Sequence, residues 1–102
     1  MVKEISSIEE IPRNGKVVID CFADWCGPCR GIAPKFAELS NMYNNITFLK
    51  INVDETEELS NQMGINALPT FVFIQNRNIV NRMEGANVSQ LVTLLNIFAQ
   101  SA

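Results

Sequence analysis

The sequence contains no histidine, only one tryptophan and one tyrosine, and no excess of positive charge. Without histidine, the chain lacks the most common general base and the most common transition-metal ligand. The formal net charge of -3 provides no basic surface that could neutralise phosphates, so we expect neither nucleic acid nor an anionic membrane as a partner. Any proton transfer must therefore use a carboxylate, a lysine, a thiol or water.

Long apolar runs and a targeting segment are also missing. No stretch approaches the roughly 18 apolar residues of a membrane span, and no basic segment followed by an apolar run opens the chain. Three cysteines are too few, and odd in number, for a disulfide scaffold, which favours a reducing compartment. We expect a soluble cytoplasmic protein whose residues 1–102 form one domain, since 47% apolar residues suffice for one core.

Strand and helix patterns alternate along the chain. Apolar runs at Lys16 to Phe22 and Ile46 to Asn52 predict parallel strands, of which the first is central in the sheet. Between them, apolar residues at helical spacing predict a helix from Cys26 to about Tyr43 or Asn44. A capping-box pattern at Ser7 to Glu10, soon followed by Pro12, predicts only a short first helix.

The second half of the chain adds two helices and a hairpin. Asp54 and Glu57 predict a helix start, and Gly64 its end. Strands over residues 70–74 and 79–84 are close enough to form an antiparallel hairpin across Gln75 to Asn78. The last helix starts at a cap formed by Asn87 and Gln90, and its predicted apolar stripe consists of Val88, Leu91, Leu95 and Phe98. The sum is an α/β domain with a mixed sheet.

The motif Cys26-Gly27-Pro28-Cys29 lies where a strand ends and a helix starts. Unpaired N–H groups and the helix dipole favour negative charge there, so Cys26 is predicted to be the solvent-side thiolate that attacks a disulfide. Cys29, inside the first turn, is predicted to be less exposed and to resolve the mixed disulfide. Pro28 fixes its own φ at a value that suits the first turn of a helix, and Gly27 is predicted to relieve strain in the backbone between the cysteines.

A Cys-x-x-Cys pair is also often half of a zinc or iron–sulfur site. Only Cys21 remains as a further cysteine, so a closed four-ligand site would need a second chain or oxygen ligands. Thiol–disulfide chemistry is therefore the favoured interpretation, with no metal and no cofactor. Cys21 itself is predicted to be a small buried hydrophobe, with a secondary oxidation site as the alternative.

Three further residues are candidates for the same site. Asp20 interrupts a buried strand and is predicted to be a poised acid or base that accepts the proton of Cys29; the alternative is a partly solvated carboxylate without a role. Lys50 is its predicted cationic neighbour from the adjacent strand, or else an ordinary edge charge. Trp25, next to the nucleophile, is predicted to offer a flat apolar contact face rather than to fill the core.

These residues, in this order and spacing, resemble the thioredoxin family over nearly the whole chain: Asp20, Trp25 to Cys29, Pro34, Lys50, Leu68-Pro69-Thr70 and Gly85. The resemblance implies the thioredoxin fold, a central mixed β-sheet flanked by helices on both faces. It implies reduction of disulfides in target proteins, re-reduction by an NADPH-dependent thioredoxin reductase, and a role in cell redox homeostasis. The Gly27-Pro28 dipeptide is similar to that of the reducing members.

The resemblance also implies a substrate-binding surface. Pro69 follows a cis peptide bond beside the cysteines, Leu68 offers backbone hydrogen bonds to an extended substrate segment, and Gly85 and Ala86 form a flat contact loop. Arg77, where glycine is common, departs from the pattern, as do Cys21 and the short first helix. A binding module with incidental turnover, and an oxidant or isomerase, remain alternatives.

Overall fold

A five-stranded mixed sheet organises the fold. The computed structural model describes residues 1–102, with strands β1 to β5 at Val2–Glu4, Lys16–Phe22, Ile46–Asn52, Thr70–Gln75 and Asn78–Glu84. Helices α1 to α3 span Gly27–Ser40, Glu57–Gln62 and Val88–Gln100, and a 3-10 turn covers Ile8–Glu10. The strand order is β1-β3-β2-β4-β5; β3 pairs in parallel with both β1 and β2, and the remaining pairs are antiparallel. The near-continuous apolar strand β2 is central, as predicted.

Helices cover both faces of this sheet. Successive strand residues point to opposite faces, so Val18 belongs to one core while Val17 and Ile19 belong to the other. The first core packs α1 and α3 on the sheet around Phe36, whose ring centroid lies 5.0 Å from that of Phe48. The second core packs α2 and the N-terminal segment through Ile5, Ile11, Leu59 and Met63. Each such buried side chain stabilises the fold by roughly 1.5–3 kcal/mol, which fixes the sheet as a rigid base for the loops at its edge.

The structure corrects several predicted bounds. β1 was not predicted, because it has only three residues, none of them fully buried, and shows no alternation. Helix α1 ends at Ser40 rather than near Tyr43, and Tyr43 packs against the first core from the following turn. In α3, Leu91, Leu95 and Phe98 are buried but Val88, at the first helical position, is 37% exposed.

The β4–β5 hairpin turns on two residues rather than the predicted four. Asn76 and Arg77 both have positive φ, 52° and 65°, the combination of a tight turn whose twist matches that of the strands. Arg77 replaces the usual glycine and uses its side chain: the guanidinium donates to the Ile11 carbonyl at 2.7 and 3.1 Å and to the Glu9 carbonyl at 3.3 Å. These hydrogen bonds to the N-terminal segment offset the cost of the positive φ at Arg77.

The helices are all too short or too polar to cross a lipid bilayer. The longest, α1, has 14 residues, of which only four are buried against the sheet.

Candidate active site

Cys26 and Cys29 form a disulfide at the N-terminus of α1. Their Cα atoms are 5.3 Å apart, and Cys26 is the N-cap residue of the helix. The Cys29 N–H donates to the Cys26 Sγ at 3.2 Å, so this sulfur satisfies a backbone donor that the helix itself leaves unpaired. The predicted junction of strand and helix therefore places Cys26 where a negative charge is stabilised.

Burial distinguishes the two cysteines less than expected. Cys26 is 5% exposed and Cys29 3%, so the order of exposure is the predicted one, but the difference is small because both pack in a small apolar cluster with Ala23. Gly27 and Pro28 open the helix, and both are exposed. Gly27 does not have positive φ, so its backbone needs no glycine for relief.

The two sulfurs differ instead in the cavity that each borders. Cys26 lines an open groove of about 450 Å³, whose other walls are Trp25, Gly27, Pro28, Val53 and residues 65–68. Cys29 lines a separate cavity of about 280 Å³ together with Asp20, Lys50, Asp24 and Arg30. The first space is mostly apolar, whereas the second is rich in charged groups.

Asp20 is buried in the middle of the sheet. It is 3% exposed, and its Oδ1 has no hydrogen-bond partner. Burial raises the pKa of Asp20 from its ordinary 3.8 to about 7, and the nearby Lys50 charge opposes this shift only in part. Asp20 can therefore gain or lose a proton near neutral pH. The structure brings Asp20 and Cys29 together only through their shared cavity.

Lys50 lies on β3, directly opposite Asp20 in the parallel register. It is partly buried, and its Nζ lies 5.6 Å from the centre of the Phe22 ring. Because β3 is an inner strand, Lys50 is not the edge charge that was the alternative interpretation. It supplies a positive charge to the cavity that contains the Asp20 carboxyl.

Trp25 lies at the surface beside Cys26, as predicted for a contact residue. Its side chain is 70% exposed, and its indole N–H donates to Asp54 Oδ2 at 2.9 Å. Asp54 was missed as a site residue, since in the sequence it reads as the start of α2. The helix begins later, with Thr56 as its N-cap, and the Asp54 carboxylate is bonded to the indole instead of capping the helix.

The Leu68–Pro69 peptide bond is cis, as the resemblance implied. Pro69 is buried, and its carbonyl accepts a hydrogen bond from the Gly85 N–H at 2.8 Å. Leu68 is partly exposed, and neither of its backbone groups has a partner within the chain. Gly85 has φ of 101°, which favours glycine, and an added Cβ there would meet nothing within 4 Å. Ala86 packs against the first core.

Cys21 is fully buried on β2, as predicted. Burial raises the pKa of its thiol far above the ordinary value, and the Asp20 carboxylate adds to that shift. The thiol therefore stays protonated and does not compete with the Cys26–Cys29 pair as a nucleophile. No group of three or more histidine, cysteine or carboxylate side chains converges in the structure.

Comparisons with known proteins place this arrangement in one family. The Thioredoxin family model matches residues 4–97. Thioredoxin 1 of Plasmodium falciparum is 40% identical over 103 residues, which cover 97% of this chain and 99% of that protein. The chain spans only 30% of the length of another relative, Thioredoxin-like protein 1 of Schizosaccharomyces pombe, with 42% identity over 86 residues.

Solved structures agree with this relationship. A Plasmodium falciparum thioredoxin structure has a TM-score of 0.90 at 38% identity and covers 94% of this chain and 98% of that one. A thioredoxin f2 in complex with ferredoxin:thioredoxin reductase has a TM-score of 0.89 at 31% identity, with 98% and 96% covered. The fold is thus the predicted thioredoxin fold. The chain belongs to the thioredoxin family of thiol–disulfide oxidoreductases, and its Cys26–Cys29 pair makes it a protein-disulfide reductase.

Proposed function

We propose that this protein reduces disulfides in cytoplasmic target proteins and is itself re-reduced by an NADPH-dependent thioredoxin reductase, as part of cell redox homeostasis. The observation that carries the proposal is the position of the Cys26–Cys29 pair between an apolar groove and a charged cavity. The groove accepts a substrate segment, while the cavity handles a proton. A cytoplasmic location fits this chemistry, because a reducing compartment keeps the pair available as a dithiol.

The first step uses the reduced form of the pair. The Cys26 thiolate attacks one sulfur of the substrate disulfide, a new S–S bond forms to Cys26, and the other substrate sulfur leaves as a thiolate that takes a proton from water. The Cys29 N–H and the dipole of α1 favour the thiolate on Cys26. These contacts support Cys26 as the attacking sulfur despite its small exposed area.

The second step releases the product. Cys29 gives its proton to Asp20, and its thiolate attacks Cys26 Sγ, so the mixed disulfide breaks and the second substrate sulfur leaves reduced. The Cys26–Cys29 disulfide is restored. A carboxyl with a pKa of about 7 accepts such a proton at neutral pH, and the cavity it shares with Cys29 has room for bridging water. The Lys50 charge limits the rise of the Asp20 pKa, so part of Asp20 is ionised at neutral pH and can accept the proton.

Substrate docking is assigned to the rim of the groove. The unpaired backbone groups of Leu68 can hydrogen-bond an extended segment next to the substrate disulfide, in the manner of an added strand. Trp25 supplies a flat apolar face. Pro69, which accepts from the Gly85 N–H, is assigned to the same docking surface together with Gly85 and Ala86. No side chain at Gly85 blocks the approach.

The electron donor is the part of the proposal that most needs a direct test. Purified protein is mixed with insulin, NADPH and an NADPH-dependent thioredoxin reductase, and NADPH oxidation is followed. Sustained oxidation that depends on insulin is expected, with Cys26→Ser inactive and Cys21→Ala, which removes the buried third thiol, close to wild type. Turnover only with a ferredoxin-dependent reductase would contradict the NADPH assignment. Tight target binding without turnover, retained after loss of both active-site cysteines, would favour a binding module instead.

A further inference from the structure

Arg82 connects the outermost strand of the sheet to the end of α2. It lies on β5, opposite Val72 in the antiparallel register. Its guanidinium donates to the Met63 carbonyl at 2.6 Å and to the Gly64 carbonyl at 3.2 Å. Met63 is the C-cap residue of α2, so these bonds satisfy carbonyls at the end where a helix leaves acceptors unpaired and carries partial negative charge.

The segment that follows these carbonyls is a wall of the docking groove. Gly64, with φ of 67°, ends the helix, and residues 65–68 then line the groove that Cys26 borders. Beyond them, the Pro69 carbonyl accepts from the N–H of Gly85, the residue that follows β5. The segment from Gly64 to Pro69 is therefore attached to β5 at one end and to the residue that follows β5 at the other.

Only one of these two attachments can be removed by mutating a side chain. The Gly85 bond is made by the backbone and belongs to the docking surface itself. Two side chains outside residues 63–69 hydrogen-bond to them: the Thr70 hydroxyl donates to the Ala67 carbonyl, and the Arg82 guanidinium donates to the Met63 and Gly64 carbonyls. Thr70 directly follows the segment, so Arg82 is the side chain that ties it to β5, and Arg82 does not line the groove. A planar guanidinium bonded to two successive carbonyls fixes both position and direction of the chain, which a single flexible donor does not.

We propose that Arg82 is a positioning residue for the docking of protein disulfides, a role that rests on the proposed function of residues 65–69. It holds the groove wall at the spacing that an extended substrate segment requires. A substrate that needs only the sulfurs, and no backbone pairing along Leu68, does not depend on it. Arg82 therefore determines the preference for macromolecular over small disulfides.

The test compares two substrates in the Arg82→Met variant, which keeps the length of the side chain but removes every donor. The KM for insulin is expected to rise about fivefold, with kcat changed less than about twofold, because docking weakens while the sulfur chemistry is untouched. The rate of cystine reduction is expected to stay within about twofold of wild type. Arg82→Lys keeps a single ammonium donor, so its KM for insulin is expected to lie between that of wild type and that of Arg82→Met.

Arg77 offers a matched control. Arg77→Met removes the same kind of guanidinium-to-carbonyl tie, but to Ile11 and Glu9, which do not line the groove. Thermal unfolding of both variants reports the structural cost of losing the tie. The proposal requires that Arg77→Met lower the melting temperature without changing the KM for insulin, whereas Arg82→Met changes the KM.

The role of Arg82 is overturned if Arg82→Met retains the wild-type KM for insulin, or if its rates with insulin and cystine fall by the same factor. If the methionine variant does not fold, Arg82→Lys carries the same comparison, and a wild-type KM in that variant overturns the role. Failure of the wild-type protein to reduce insulin would instead remove the proposed function. The two failures are therefore distinguishable in one set of assays.

Discussion

The two spaces on either side of the disulfide differ in the charged side chains that line them. The groove beside Cys26 is open and mostly apolar, and its rim carries the large exposed face of Trp25. The cavity beside Cys29 contains a buried carboxyl, Asp20, and the Lys50 ammonium group. Two sulfurs whose Cα atoms are 5.3 Å apart, and whose burial is nearly equal, thus experience different surroundings. The different roles proposed for them rest on the neighbouring groups rather than on exposed area.

The largest effect is expected from removing the sulfur of Cys29, which borders the charged cavity. Cys29→Ser is expected to lower turnover roughly a thousandfold or more and to accumulate a mixed disulfide with the substrate on Cys26, because no second sulfur can release it. Mass spectrometry of the trapped peptide identifies the sulfur. Cys26→Ser is expected to trap nothing, and Cys21→Ala serves as the control for thiol number. A substrate trapped on Cys29 would reverse the assignment of the two sulfurs.

Removing the carboxyl on the charged side is expected to have the next largest effect. Asp20→Asn cannot take the Cys29 proton, so the resolving step should slow about tenfold at neutral pH while the first attack is unchanged. Single-turnover stopped-flow kinetics separates the two steps. An unchanged resolving rate would leave Asp20 without this role.

The same variant has a second readout in stability. The pKa of Asp20 is 3.8 ordinarily and about 7 in the folded protein, so between these values the folded state holds a proton that the unfolded state has released. Stability therefore falls as the pH rises through this window and is lowest above it. Asp20→Asn should be more stable than wild type at about pH 8, by up to about 4 kcal/mol, with the difference vanishing near pH 4.

Urea unfolding at the two pH values measures this difference. Asp24→Asn is the matched control, since Asp24 lines the same cavity but is exposed at the surface. The free energy of unfolding of Asp24→Asn should equal that of wild type at both pH values. A stability difference for Asp20→Asn that is the same at both would show that proton binding is not its cause.

The smallest expected effect is on the apolar side. Trp25→Leu retains an apolar side chain but loses the flat face and the bond to Asp54, so kcat/KM for insulin should fall about threefold, with cystine reduction unaffected. Steady-state kinetics with both substrates measures it. Tyr43→Leu, an aromatic replacement away from the groove, should leave both rates unchanged. Equal losses with insulin and cystine would assign Trp25 to the sulfur chemistry instead.

Much of the fold followed from local pattern. β2 and β3 have the bounds predicted for them, because each is an apolar run bounded by turn signals and buried on both faces. The pattern failed where tertiary contacts decide. β1 forms only as a partner of β3, and the hairpin turns on Asn76 and Arg77, whose positive φ values the sequence did not indicate.

The site was partly predictable for similar reasons. Asp20 stood out as a carboxyl within a buried strand, and the parallel pairing of β2 with β3 placed Lys50 opposite it. The contribution of Asp54 could not be read from the sequence, because a carboxylate before a helix is ordinarily a capping group. Arg82 was missed for another reason: a lone arginine on an edge strand has many uses, and only the structure shows the two carbonyls it reaches.

The position of Trp25 gives the molecule a built-in optical probe. It is the only tryptophan, the single tyrosine lies elsewhere, and the indole is tied to Asp54 beside the residue that exchanges its disulfide partner. Trp25 and Cys26 line the same groove, and a nearby disulfide quenches indole emission, so the fluorescence of Trp25 is expected to rise when the Cys26–Cys29 disulfide is reduced. A titration against a thiol buffer would give the midpoint potential of the couple from the fluorescence of one side chain.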